Sequence, residues 1–170
     1  MVLSLVVVGG AIALFVLLLP KTAHQKVTPV DFRPAAQALA RESALPILVP
    51  QPLPSGWQST YVRIDSAPDG LHIGFVLDNK RFARLDETAT PTAAFYRQSY
   101  VNPEATPAQA SDAAAGVPSG FEVRRSGSHV ALLRHLAGGG VLTLSDGGTS
   151  SGAGLTELAT LARSLREQVQ

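Results

Sequence analysis

Four histidines, one glycine-flanked serine and one adjacent carboxylate pair are the residues with which this chain could do chemistry. Gly148-Thr149-Ser150-Ser151-Gly152 has the G-x-S-x-G spacing of a nucleophile elbow, in which a sharp strand-to-helix turn presents a serine hydroxyl to a histidine base. In that arrangement an acid and then a histidine follow the serine along the chain. After Ser150 there is no His and no Asp, and Glu157 and Glu167 fall on the polar face of a helix, so a flexible connection is the better reading. The histidines are His24, His72, His129 and His135. His129 and His135 share one face of an extended strand at a separation of roughly 20 Å, too far for one metal ion. His72 with another histidine and Asp78 or Asp86 stays open as a metal arrangement, against the alternative of ordinary surface histidines. Asp86 and Glu87 point to opposite faces of a strand, which is poor equipment for paired acid and base work. Gly138-Gly139-Gly140 lacks the spacing and the lysine of a phosphate loop and reads as a turn. No catalytic set, metal site or cofactor is therefore assigned, and the residues expected to line a pocket, if one exists, are Trp57, Tyr61 and His72.

Charge and composition narrow the partners. From Val27 onward twelve bases stand against thirteen acids, a net charge of −1, which argues against nucleic acid because phosphate neutralisation needs a basic face. Lys80, Arg81 and Arg84 cluster at one hairpin, and Arg124, Arg125 and Arg134 lie on later strands; these read as solvated faces, or as contacts for anionic headgroups or an anionic wall polymer. The chain has no cysteine, which removes disulfides, thiol catalysis and cysteine-based zinc sites together.

The elements that must position these residues follow from periodicity. Asp31 can cap a helix beginning near Phe32, with Pro34 in its first turn. Leu45 to Pro50 reads as an extended segment that its prolines push toward an edge. A strand from Trp57 to Asp65 places Trp57 and Tyr61 on one side and Val62 and Ile64 on the other. Leu71, Ile73, Phe75 and Leu77 alternate with His72, Gly74 and Val76, and Asp78-Asn79-Lys80 turns this strand into a partner from Arg81 to Glu87. Thr90-Pro91 starts a short helix, and residues 103–120, rich in Ala, Pro, Ser and Gly, read as a long loop. Strands over Phe121–Arg125, His129–Leu136 and Val141–Ser145 form a meander, and Leu155, Leu158, Ala159, Leu161, Ala162 and Leu165 mark the apolar stripe of a closing helix. The expected fold class is α+β, with an N-terminal transmembrane helix followed by one domain: an antiparallel sheet of about five to six strands covered by an N-terminal and a C-terminal helix.

Ahead of that domain, Val2 to Leu19 carries no charge and as a helix spans about 27 Å, close to the roughly 30 Å hydrocarbon core of a bilayer. It is too long for the core of a cleaved signal, no small-x-small site follows it, and a buried helix of that length would show a polar face. Residues 1–20 are therefore expected to be a retained anchor contacting lipid, residues 21–30 a neck, and residues 31–170 the domain. Lys21 and Lys26 alone would favour a cytoplasmic domain, and a start upstream of Met1 that adds basic residues would reverse that count.

The span, Val30-Asp31-Phe32-Arg33-Pro34, Pro52-Leu53-Pro54-Ser55-Gly56-Trp57, His72-Ile73-Gly74-Phe75 and the glycine-rich strand before the last helix resemble those of an actinobacterial family of single-span membrane proteins, domain of unknown function family four-two-four-five. The resemblance covers nearly the whole chain and implies an N-terminus inside and a domain outside the cytoplasmic membrane, with no activity and no site. A membrane-anchored envelope protein that binds or scaffolds another envelope protein, or an anionic wall or lipid component, is the expected function. An envelope hydrolase or small metal-site enzyme and a transmembrane regulator are the alternatives.

Overall fold

The computed structural model describes residues 28–43, 45–66, 69–99 and 116–168. The expected span, the neck up to Val27, His24 and most of the 103–120 loop lie outside these residues. Among the described residues no helix is long and apolar enough to cross a membrane.

Helix α1 (Arg33–Glu42) has Pro34 in its first turn as expected, but its N-cap is Phe32 and not Asp31; Asp31 stands one residue further out, where its Oδ1 accepts the Arg33 N–H at 3.1 Å. Strand β1 (Leu48–Pro50) follows, then β2 (Trp57–Ser66), β3 (Asp69–Leu77) and β4 (Arg81–Thr88). The β3–β4 turn uses Asp78 and Asn79 at φ of 50° and 54°, a left-handed pair that short polar side chains tolerate and that matches the twist of a tight hairpin. Helix α2 (Ala93–Gln98) is capped by Thr92, whose hydroxyl accepts the Phe95 N–H at 3.1 Å. Strands β5 (Glu122–Ser126), β6 (His129–His135) and β7 (Val141–Ser145) precede α3 (Leu155–Arg163) and β8 (Leu165–Glu167).

The chain forms an α+β fold with a six-stranded antiparallel sheet in the order β2-β3-β4-β7-β6-β5. Two meanders meet at one seam, where β4 pairs with β7 from Arg84↔Ser145 to Thr88↔Val141. Helices α1 and α3 cover one face, packing Ala36, Leu39, Leu158 and Leu161 on Leu71, Ile73, Phe75, Leu85, Leu132, Leu142 and Leu144. Phe75 is the aromatic hub. Phe32 and Trp57 meet its ring edge-on at 5.9 and 6.4 Å, a geometry contributing about 0.5–1.5 kcal/mol per pair beyond burial. The shorter α2 lies on the opposite face, where Phe95 joins Ala131, Leu133 and Val141 in a second apolar patch.

Two further expectations need correction. The closing helix stops at Arg163, and Leu165, which continues its apolar period, belongs instead to β8; β8 pairs with β1 in a separate two-stranded sheet, Leu48↔Glu167 to Pro50↔Leu165. In β2 a register irregularity between Ser59 and Tyr61 adds one residue and reverses the alternation. Trp57 therefore faces the helices, while Tyr61 lies on the other face against Gly74, where any Cβ would enter the tyrosine ring.

Glu87 points into the core at 1% exposure; its Oε1 accepts the Leu48 N–H at 3.0 Å, tying β1 to the seam, and its Oε2 has no partner among the described residues. Burial pushes this carboxyl well above the usual carboxylate range, partly offset by the Leu48 N–H. The folded chain thus keeps a proton that the unfolded chain releases. Stability is expected to fall as pH rises above the ordinary carboxyl range, by about 1.4 kcal/mol per pH unit until the folded group titrates. Urea unfolding of the wild-type chain and of Glu87→Gln across pH should show this slope in the wild type alone; parallel curves would contradict it.

Candidate functional site

Register carries Arg63, His72, Asp86 and Thr143 into one cross-strand row over β2, β3, β4 and β7, on the face away from α1 and α3. Asp86 is fully buried. Its Oδ1 lies 2.6 Å from His72 Nδ1 and accepts Arg84 Nε at 2.7 Å, while Arg84 Nη1 donates to the Gln98 carbonyl at the end of α2 at 3.2 Å. His72 Nε2 lies 3.0 Å from Asp65 Oδ2, and Asp65 in turn pairs with Arg63 at 3.0 Å. Carboxylates only accept, so a ring with one N–H can serve one of these two acids, and both are served only by an imidazolium. Each ring nitrogen of His72 is thus committed inside the fold, and these side-chain contacts join β2, β3 and β4 to α2.

A cavity of about 120 Å³ opens beside His72, walled by Asp65, Thr88, Thr90, Thr92 and Phe95. Of the three residues expected to form a pocket, only His72 reaches it; Trp57 is in the core on the other face, and Tyr61 covers Gly74. The sequence alternation places His72 and Asp86 on strand faces, but their meeting depends on the β3–β4 register, and Asp65 enters only through the β2 irregularity.

The other candidates are dispersed. Asp86 reaches His72, whereas Asp78 is in the hairpin turn. His129 Nδ1 is 2.9 Å from Asp146 Oδ2, an acid whose Oδ1 accepts the Gly148 N–H at 2.9 Å at the foot of the loop bearing Ser150. Ser150 itself is exposed, and Ser151 and Ala153 pair with Phe82, so the connection to α3 is a long docked loop instead of a sharp elbow. Asp86 and Glu87 point to opposite faces, as the strand geometry requires. Among the described residues no group of three His, Asp or Glu side chains has a metal-holding arrangement.

A much larger concavity was not legible from the sequence. A cleft of about 830 Å³ lies at the end of the sheet where β6 terminates, between the C-terminal end of α1, β1 and β8. Ala40, Leu45, Leu48 and Leu136 supply apolar surface; Arg134, His135 and Glu167 supply charge. Its volume falls within the roughly 300–1,000 Å³ typical of small-molecule sites. Its lining comes from three separated stretches of chain, 40–48, 134–137 and 167–168, so no local pattern announces it. His135 is the one residue singled out for chemistry by type that reaches the cleft.

A family model described as a protein of unknown function (DUF4245) matches residues 1–165. No curated protein and no solved structure matches the chain.

If the buried row is a structural tie, removing Asp86 leaves Arg84 and His72 without their shared acceptor. Asp86→Ala should therefore cost about 3–5 kcal/mol. Asp65→Asn, at a half-exposed carboxylate, should cost about 1 kcal/mol or less. Denaturant unfolding of both variants checks the ordering, and equal losses would contradict it.

Proposed function

We propose that this chain, which belongs to the DUF4245 family of proteins of unknown function, is a membrane-anchored binding domain of the cell envelope that works without catalysis. Val2 to Leu19 is its retained single-span anchor, and the α+β domain faces the extracytoplasmic side. The observation that carries the binding role is the 830 Å³ cleft, which combines an apolar floor with a charged rim in the manner of a recognition site. The His72 row supports the same reading from the other side, because its polar atoms are spent on holding strands together. The anchor rests on the length and apolarity of residues 2–19, and the orientation on the family resemblance.

One observation favours a second reading. The His129–Asp146 pair stands at the foot of the Ser150 loop, so a serine hydrolase would use these three residues. Labelling of the full chain by a fluorophosphonate probe, lost in Ser150→Ala, would establish that enzyme and overturn the binding reading. No labelling is expected.

The absence of cysteine allows a direct orientation test. Ser128→Cys, in the exposed β5–β6 turn, should react with a membrane-impermeant maleimide in intact cells; reaction only after lysis would overturn the extracytoplasmic placement. A photocrosslinking residue in place of Ala137, at the cleft rim, should capture an envelope component in intact cells, whereas the same residue at position 128 should not. Equal capture at the two positions, or none at 137, would contradict the assignment of the cleft.

A further inference from the structure

We propose that the cleft binds a single-acyl amphiphile with an anionic head, a carboxylate or phosphate held by Arg134 and an acyl chain laid along Ala40, Leu45, Leu48 and Leu136. This rests on the reading of the cleft as the binding site and names what enters it.

Arg134 is the residue that points to the head. It is half-buried, and among the described residues its guanidinium makes no hydrogen bond and no ion pair. Its contact is with the Phe121 ring, over which the guanidinium carbon sits at 5.7 Å. Stacking of this kind fixes the plane of the guanidinium and leaves its N–H edge to serve a planar or tetrahedral anion in two-pronged fashion. Arg63, Arg81, Arg84 and Arg124 each pair with an acid, so Arg134 differs from these four in having, among the described residues, no acid beside its guanidinium while it is partly withdrawn from water. A partly desolvated cation without a partner is costly, and an incoming anion relieves that cost. His135, the next residue on β6, also lines the cleft, although strand alternation turns its side chain to the other face of the sheet.

The remaining lining fits the tail. Together with Ala40, the buried residues Leu45, Leu48 and Leu136 line the cleft. Its volume suits one chain with its head better than a two-chain lipid. Glu167 stands on the rim, exposed and solvated, and sets a charge test of its own: it opposes an anionic head, so its neutralisation should strengthen binding.

The test uses the full chain in phosphatidylcholine nanodiscs, with dodecyl phosphate and laurate as probes and dodecyl maltoside as the neutral comparator of equal chain length. Hydrogen exchange should show protection of amides in 45–48 and 134–137 with either anionic probe. Arg134→Gln should weaken that protection by about tenfold or more, the usual consequence of losing a charge-assisted pair, and Glu167→Gln should strengthen it. Exchange elsewhere in the sheet serves as the check that both variants are folded. Equal protection by dodecyl maltoside, unchanged binding in Arg134→Gln, or no protection by any probe would overturn the proposal. Capture of a protein or glycan at position 137, with no effect of the anionic amphiphiles, would overturn this ligand and leave the binding role of the cleft standing.

Discussion

The β4–β7 seam is the constraint on which the rest of this fold depends. Each meander is local, built from hairpins whose turns the chain specifies nearby, but the two halves become one sheet only where Arg84–Thr88 pairs with Val141–Ser145. At that seam β4 carries two adjacent buried acids, Asp86 toward the polar face and Glu87 toward the core. Each acid reaches a different part of the molecule: Asp86 engages β3 through His72 and is linked to α2 through Arg84, while Glu87 accepts from β1. Burying two carboxylates side by side is expensive, and the structure offsets it in two different ways. Asp86 is served by a histidine and a guanidinium, whereas Glu87 is pushed toward its neutral form.

That division explains why the residues most suggestive of chemistry are spent on architecture. A histidine flanked by two carboxylates resembles catalytic equipment when read as a list, yet both of its nitrogens are held by groups that also fix strand positions. The cleft has the opposite character. It lies where β6 ends and where the small β1–β8 sheet meets α1, and its half-buried arginine answers to an aromatic ring instead of an acid.

Much of the fold was legible wherever the determining interaction was local. The alternation of β3, the Asp78-Asn79 turn and the prolines around α1 each act within a few residues, and the structure places these elements as the sequence leads one to expect. Features set by distant contacts were not. The apolar period of α3 runs into Leu165, and only pairing with Leu48–Pro50 converts that residue to a strand. One inserted residue in β2 sends Trp57 and Tyr61 to opposite faces, which no alternation count over the segment reveals. His72 could be singled out by type, but its partners Asp65 and Asp86 follow from register, and the cleft is assembled from segments that share no sequence signal.

The central claim is that the buried row is a tie within the fold. A double-mutant cycle on His72 and Asp86, read by denaturant unfolding of the full chain, measures that tie directly. A coupling energy of about 1–3 kcal/mol is the expected result, as for contacting residues within one buried network. Losses that add to within about 0.5 kcal/mol would mean that the two side chains do not stabilise one another, and the structural role assigned to the row would fall.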